Sequence, residues 1–280
     1  MLGAVIVDYN AGPALHDAAH SLLADGIDEL VVVENGDAGS SSAALGQLAE
    51  RCTIVVPGEN CGFGAGVNRG VAALSPAAEL VVVANPDTVV HAGAVAAMAE
   101  AFDAHPEQGI LGCTLLTSSG EVYPSVRRFP NPLDAAGHAL LSQVAPKNRF
   151  SARYRSAGIR PEGGVDWVSG AFFGIRRRTF EDLGGFDESY FMFCEDMDLC
   201  WRAHEGGWAV GVAPTAVVTH AEGGTRGSHP YRMVLAHHRS ALRFASATMA
   251  GPRRLLLPLA ALVLGIRLMT SFARVAVGRR

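Results

Sequence analysis

Four short apolar runs alternate with longer amphipathic stretches over the first hundred residues, and that alternation restricts the chain to few folds. The runs lie at 3–7 (GAVIV), 28–33 (DELVVV), 53–56 (TIVV) and 79–84 (ELVVVA). The stretches between and after them, at 14–24, 41–51, 65–74 and 92–104, read as helices. Val-rich runs separated by helices predict βαβ units and a mostly parallel sheet with helices on both faces, an α/β fold. Right-handed crossovers place the C-terminal ends of such strands along one edge, where ligands bind. Polar residues recur there: Asp8, Tyr9 and Asn10; Glu34 and Asn35; Asn60; Asn85 and Asp87. Each alone is an ordinary polar strand end. Their recurrence at four successive ends is the functional signal.

The remainder is less uniform. Residues 105–165 are rich in Pro, Gly, Ser and Arg, and read as irregular apart from a short helix at 133–144. Such a segment is either a covering loop or a substrate-binding one. From 166 to 220 the pattern is α+β: an apolar run at 167–175, a Gly turn at 184–185, a helix near 195–205, then strands near 208–212 and 215–219. A helical hairpin at 230–248 and 253–277 follows. The expected division is a catalytic domain over 1–225, with a nucleotide-binding half to about 115 and an acceptor-binding half after it. Residues 226–280 form a helical tail.

With 280 residues, 49% of them hydrophobic and 18% charged, the chain can bury a full core without disulfide or metal staples. The net charge of −4 conceals a division. Residues 1–220 carry 13 basic and 26 acidic groups, whereas 221–280 carry ten arginines and one acid, Glu222. An acidic body is a poor partner for nucleic acid, which needs a broad cationic face. The five cysteines are odd in number and contain no CxxC pair, which points to a reducing compartment. Cys194 and Cys200 fit no common zinc spacing. Val5 to Val7 run straight into polar Asp8 and Asn10, a first strand rather than a signal peptide.

The tail contains twelve consecutive apolar positions at 255–266 (LLLPLAALVLGI), too few by themselves to cross a bilayer. Arg267 and Arg274 fall on one helix face, and Arg253, Arg254, Arg279 and Arg280 flank the segment. An amphipathic helix lying in an anionic membrane surface is expected, in preference to ordinary packing or a tilted span.

Three motifs carry chemistry. In ENCGFGAGVNRG (59–70), glycines after a strand and before a helix let backbone N–H groups approach an anion. A dinucleotide fingerprint is the rival, and Gly62 and Gly64 fit its start, but Val67 occupies its third glycine position. ANPD (84–87) ends a very apolar strand, where Asp87 can hold a divalent cation that bridges a diphosphate. A plain Asn-Pro-Asp turn is the alternative. GGFDESYFMFCEDMDLCWR (184–202) places Glu195, Asp196 and Asp198 at a helix start, behind the apolar Tyr190 to Phe193. Acids there suit the helix dipole, and a carboxylate beside an apolar wall also suits a general base. His220, after the strand-like AVVTH, is either a structural histidine or a metal ligand.

The order VDYN, VVVENG, NCGFGAGVNRG, ANPD, VSGAFFGIRR, GGFDESYFMFCEDMDLCWR and VVTH resembles the family-2 inverting glycosyltransferases of the GT-A fold, over roughly residues 2–245. Within that family ANPD, VYPSVRRFP (122–130) and LAHHRS (235–240) resemble the actinobacterial rhamnosyltransferases that act on polyprenyl-diphosphate-linked sugars. The resemblance implies Asp196 as catalytic base, and a Mg2+ or Mn2+ site at Asp87 and His220. It implies nucleotide-sugar contacts at Asp8, Tyr9, Asn10, Glu34, Gly62, Asn68, Asn85 and Asp87. Three places depart from the family pattern. Glu34 stands where Asp is usual, Asp8 where Thr is commoner, and the loop after Glu34 reads NGDAGSS rather than NGSxDGT, which leaves the nucleotide base open.

The implied donor is dTDP-rhamnose and the implied acceptor a polyprenyl-diphosphate-linked sugar, met at the cytoplasmic face of the membrane. Galactofuranosyl or mannosyl transfer is the near alternative. A nicotinamide-dependent oxidoreductase and an inactive membrane-bound scaffold are the readings from other classes. The chemistry agrees with transfer: the leaving diphosphate needs charge neutralisation and the acceptor hydroxyl needs one base, whereas a hydrolase needs two carboxylates flanking the bond. Arg127, Arg128 and Arg239 are candidates for an acceptor diphosphate, or are solvated surface groups. Trp167 and Glu195 are candidates for the acceptor sugar, Trp167 equally for the core.

Overall fold

The computed structural model describes residues 1–142, 145, 147–155, 165–221 and 230–277. The first half follows the alternation in the sequence. β1 (Leu2–Asp8), α1 (Pro13–Ala24), β2 (Glu29–Glu34), α2 (Ser40–Leu45) with a 3₁₀ turn to Arg51, β3 (Cys52–Val55), α3 (Phe63–Ala73) and β4 (Leu80–Ala84) form parallel units in the order β3-β2-β1-β4.

Both faces of these strands are buried, which is why they read as continuous apolar runs. Ala4, Ile6, Leu30, Val32 and Val82 face one layer, with Leu15, Ala18 and Leu22 of α1. Val5, Val7, Val31, Val33, Val81 and Val83 face the other, with Val67 and Val71 of α3. Burying each of the Val, Leu and Ile side chains among them is worth roughly 1.5–3 kcal/mol. α3 lies close on β1 because Gly66 and Gly70 have no side chain. A Cβ at Gly66 would come within 2.8 Å of Val7 Cγ1, and one at Gly70 would strike Val5.

The second half completes the sheet out of sequence order. β5 (Thr88–Val90), α4 (Ala94–Ala104), β6 (Gln108–Thr117), β7 (Val126–Arg127), α5 (Pro132–Leu141), α6 (Arg149–Arg155), β8 (Trp167–Val168), β9 (Phe172–Arg176), α7 (Arg177–Asp182), α8 (Glu195–Glu205) and β10 (Ala209–His220) follow. The eight-stranded order is β3-β2-β1-β4-β9-β6-β10-β5, with β9 antiparallel to β4 and β6, and β5 antiparallel to β10. β7 and β8 pair separately. The sheet is thus mostly parallel with helices on both faces, as expected.

Two readings of the sequence need correction. Residues 108–117, taken as irregular, form a central strand. Its Gly109 lies under Thr179 and Trp208 and its Gly112 under Val168, so glycines that suggested a loop mark close packing instead. The two strands expected near 208–219 are one strand, whose register shifts between Ala213 and Val217 around Pro214.

The tail comprises α9 (Pro230–Thr248), a 3₁₀ turn (Gly251–Leu256) and α10 (Leu257–Val277). α9 packs on the body: Ser240 donates to the Met192 carbonyl at 2.8 Å, Arg243 pairs with Asp187 at 2.7 Å, and Phe244 joins Tyr190 and Met197. α10 is different. The helical segment 251–277 is 27 residues long, apolar enough by length and composition to cross a membrane, and almost none of it is buried. The expectation of a segment too short to span stopped at Arg267, whereas the helix continues through it. The expected domain boundary at 225 and the arginines at 279 and 280 lie outside the described residues.

Candidate active site

The ends of β1 and β2 are held by their own polar side chains. Asp8 is fully buried, and its two oxygens accept from the Ala11 amide (2.9 Å) and the Ser41 hydroxyl (2.8 Å). Glu34 is likewise buried and accepts from the amides of Gly39 (2.8 Å) and Ser41 (2.9 Å), fixing the loop that enters α2. Tyr9 is half-buried. Asn10 is exposed, has a φ of 57°, and exchanges hydrogen bonds with the amide and carboxylate of Asp37. Asp37 was not singled out in the sequence, yet it presents a carboxylate where Glu34 does not.

The glycine-rich run is tied to the acidic motif. Gly62 (φ 88°) precedes α3, and a Cβ there would strike the Phe191 carbonyl, which accepts from the Phe63 amide at 3.1 Å. Asn35 grips the same loop, accepting from the Cys61 amide (2.9 Å) and donating to Asn60 and to the Gly62 carbonyl. Asn68 accepts from the Phe186 amide at 2.8 Å and donates to the Phe186 carbonyl and Glu188 at 3.0 Å. The side chains of Asn35 and Asn68 are thereby engaged in joining α3 to its surroundings.

Asp87 and His220, 133 positions apart, are brought together by sheet pairing. β5 begins at Thr88, which opposes His220, and the Ala221 amide donates to the Asp87 carbonyl at 2.9 Å. The side chains then meet, with His220 Nε2 3.2 Å from Asp87 Oδ1. His220 is buried, its Nδ1 has no partner among the described residues, and the Tyr123 ring stands edge-on at 5.9 Å. Asn85 is half-buried one turn earlier, its amide donating to the Ala171 carbonyl.

This pair fits a divalent cation. Two donors about 2.1 Å from one ion, at right angles, stand about 3 Å apart. No cluster of three or more His, Cys, Asp or Glu suited to a metal occurs among the described residues.

The second acidic site is built by desolvation. Phe193 (φ 70°) and Cys194 (φ 66°) are successive non-glycine residues in the left-handed region, and they turn the chain abruptly into α8. Asp196 Oδ2 accepts from the Gly170 amide and Oδ1 from the Met197 amide, both at 2.8 Å. Desolvation raises its pKa, opposed by those two amides and by the charge of Arg127. Glu195 is buried, and its Oε2 lacks a partner among the described residues. Desolvation and the adjacent Asp196 push its pKa far above the usual carboxylate range. Asp198, the third acid, is structural: it pairs with Arg202 at 2.7 Å and accepts from Tyr190.

Arg127 lies over the Trp167 ring at 5.4 Å, and Trp167 Nε1 donates to the Arg128 carbonyl at 3.0 Å. Arg127, Trp167, Glu195 and Asp196 are therefore gathered around one wall. Arg128 is exposed beside them, and Arg239 is exposed on α9, next to Ser240. Sequence reading missed Tyr123 and Gly170 as parts of the site, although both sit inside motifs it had marked. It had Phe193 in the apolar wall before the acids, but the left-handed turn at Phe193 and Cys194 left no signal, since neither residue favours that conformation.

A mixed sheet with a carboxylate–imidazole pair at its edge and a desolvated acid at a helix start suits a sugar transferase of the GT-A type. Residues 2–240 match the profile of the glycosyltransferase-like family 2, and the chain belongs to that family of sugar-transferring enzymes. It is 33% identical over 263 residues to the N-acetylglucosaminyl-diphospho-decaprenol L-rhamnosyltransferase of Mycobacterium tuberculosis, covering 90% of this chain and 86% of that one. A shorter match, 34% over 96 residues and 34% of each chain, is to the rhamnosyltransferase WbbL of Escherichia coli. Among solved structures, the mannosyltransferase PcManGT of Pyrobaculum calidifontis, in complex with GDP-Man and Mn2+, aligns with a TM-score of 0.59 at 17% identity, over 99% of this chain and 79% of that one. GalNAc-T7 with UDP, GalNAc and Mn2+ aligns at 0.66 and 14% identity, over 91% and 49%. These two structures support the fold alone.

Proposed function

We propose that this chain transfers L-rhamnose from dTDP-rhamnose to a polyprenyl-diphosphate-linked N-acetylglucosamine, inverting the sugar carbon, at the cytoplasmic face of a membrane. The observation that carries this reading is the 33% identity, over most of both chains, to an enzyme whose name states that sugar and that acceptor. The site supports it in kind. Asp196 takes the proton of the acceptor hydroxyl, whose oxygen bonds to the sugar carbon as the bond to dTDP breaks. The incoming and leaving oxygens lie on opposite sides of that carbon, hence inversion. One base suffices, because a diphosphate leaves without needing a proton. Burial makes Asp196 a stronger base than a solvated carboxylate, and the amides of Gly170 and Met197 aim it.

Asp87 and His220 would hold a Mg2+ or Mn2+ ion in this reading, and such an ion would supply charge neutralisation to the departing diphosphate. Arg127 and Trp167 line the acceptor side, with Arg128 and Arg239 available to its diphosphate. Asp8, Glu34 and Asn68 act by shaping the donor loops, whereas Tyr9, Asn10, Gly62 and Asn85 border the donor. The catalytic unit is 1–225, with its donor half ending near residue 115. The tail, 226–280, meets an anionic membrane through α10, lying along the surface rather than crossing. Arg267 in the middle of α10 bonds back to the body, which favours the surface position.

The test is a transfer assay with dTDP-rhamnose and a short synthetic N-acetylglucosaminyl-diphosphoryl-polyprenol, with Mn2+, Mg2+ or EDTA. Metal-dependent addition of one deoxyhexose is the expected result. Transfer only from a UDP- or GDP-sugar would replace rhamnose by a galactofuranosyl or mannosyl donor. NAD binding without transfer from any sugar nucleotide would overturn the enzyme class.

A further inference from the structure

α10 has two unlike long faces. Leu255 in the preceding turn, then Leu259, Leu262, Ile266, Met269 and Val277 form one stripe at helical spacing, all exposed. About 100° around the helix lie Arg267, Ser271 and Arg274. These three, with His138 and Ser142 of the α5 end and Val234 of α9, line a cleft of ≈ 360 Å³. Among the described residues no acidic side chain lines it. Arg267 reaches across to the His138 carbonyl (3.4 Å) and the Ser142 hydroxyl (3.5 Å), which holds α10 against α5. Tyr231 meets Phe272 edge-on at 5.5 Å and holds it against α9. Two guanidinium groups, those of Arg267 and Arg274, stand in its lining.

We propose that this cleft seats the phosphate of an anionic membrane lipid, with Arg267 and Arg274 as its charged ligands and Ser142 and Ser271 as hydroxyl donors. The geometry suits that ligand. The apolar stripe enters the acyl boundary, and arginines at its margin sit at headgroup depth, where a guanidinium fork matches phosphate oxygens. Serine hydroxyls complete the donor set, and the chain from residue 221 onward carries nine more basic groups than acidic ones. The cleft is also linked to the catalytic wall. α9 contributes Val234 to it and, one turn later, His237, whose ring meets Phe193 edge-on at 5.4 Å. A lipid held there fixes the orientation of the body as well as its attachment. The inference rests on the membrane reading of α10 and adds a built site to it.

Sedimentation with vesicles tests it, using the full chain and circular dichroism to check folding. Wild type is compared on pure phosphatidylcholine and on phosphatidylcholine with phosphatidylglycerol. The site-specific variants are Arg274→Gln and Arg274→Lys, and the control is Arg253→Gln, an exposed arginine outside the cleft. Arg274→Gln is expected to weaken binding to the anionic vesicles about tenfold or more, and Arg253→Gln at most about fivefold. Arg274→Lys, which keeps the charge and loses the fork, is expected to weaken it measurably. Equal losses for Arg253→Gln and Arg274→Gln, with Arg274→Lys unchanged, would mean diffuse attraction and overturn the cleft while leaving the membrane reading intact. Wild type that binds neither vesicle overturns the membrane reading itself. A final arm adds farnesyl diphosphate to neutral vesicles. If dependence on Arg274 arises only there, the phosphate is the acceptor's and the lipid assignment is wrong.

Discussion

The two acidic sites of this protein are made by opposite means. Asp87 and His220 meet because antiparallel pairing between β5 and β10 sets Thr88 opposite His220, which brings the two side chains to 3.2 Å. Glu195 and Asp196 are neighbours in the chain, and their character comes from what excludes water around them: the left-handed turn at Phe193 and Cys194, and the wall of Trp167 and Met197. The first arrangement suits an ion. The second suits a proton. A site that must neutralise a leaving diphosphate and deprotonate an acceptor needs both.

The comparison is most easily broken at Asp196. Asp196→Asn should reduce transfer by about a thousandfold or more, with dTDP binding by thermal shift unchanged. Wild-type turnover in that variant would remove Asp196 as the base. At the other site, Asp87→Asn and His220→Gln should each weaken metal-dependent dTDP binding by roughly ten- to a hundredfold. If binding of dTDP in EDTA falls equally, the pair is not an ion site.

The pH dependence separates the two acids of the second site. The Glu195 pKa is raised on folding, so the folded chain keeps a proton that the unfolded chain releases near 4.3. The stabilisation from Glu195 is fully present below that value and is lost as pH rises through the folded one. Unfolding temperatures measured from pH 5 to 9 should therefore decline in the wild type and decline less in Glu195→Gln. Activity near neutrality should remain within about tenfold in that variant, since a neutral amide replaces a side chain that is itself held protonated. A parallel decline in both proteins would contradict the assignment. The smallest effect is expected at Arg127, whose charge lowers the Asp196 pKa. Arg127→Gln should move the acid limb of the rate profile to higher pH.

Sequence alone exposed the sheet where strands are uniformly apolar, from β1 to β4, and it failed at β6, where Gly109 and Gly112 admit neighbouring side chains and dilute the apolar run. The Asp87–His220 meeting was available only through resemblance, because antiparallel pairing across 130 residues has no local signature. The donor-side residues show another limit. Asp8, Glu34 and Asn68 stand at strand ends or in a glycine-rich motif, yet their polar atoms bond to this chain's own backbone and side chains. Position along a sheet edge marks a residue as near a ligand. Which way its oxygens turn is decided by loops whose conformation the sequence does not spell out.

The placement of β9 has a consequence for how the protein is made. β4 is a five-residue strand of Leu, Val and Ala, and its outer neighbour, β9, is not synthesised until roughly 90 residues later. At ribosomal rates of about 5–20 residues per second, the nascent chain carries an open, very apolar strand edge for several seconds. β6 is already made but cannot pair there, since β9 must lie between them. The emerging enzyme therefore depends on something else, a chaperone or the remaining chain itself, to shield β4 until Phe172–Arg176 arrives.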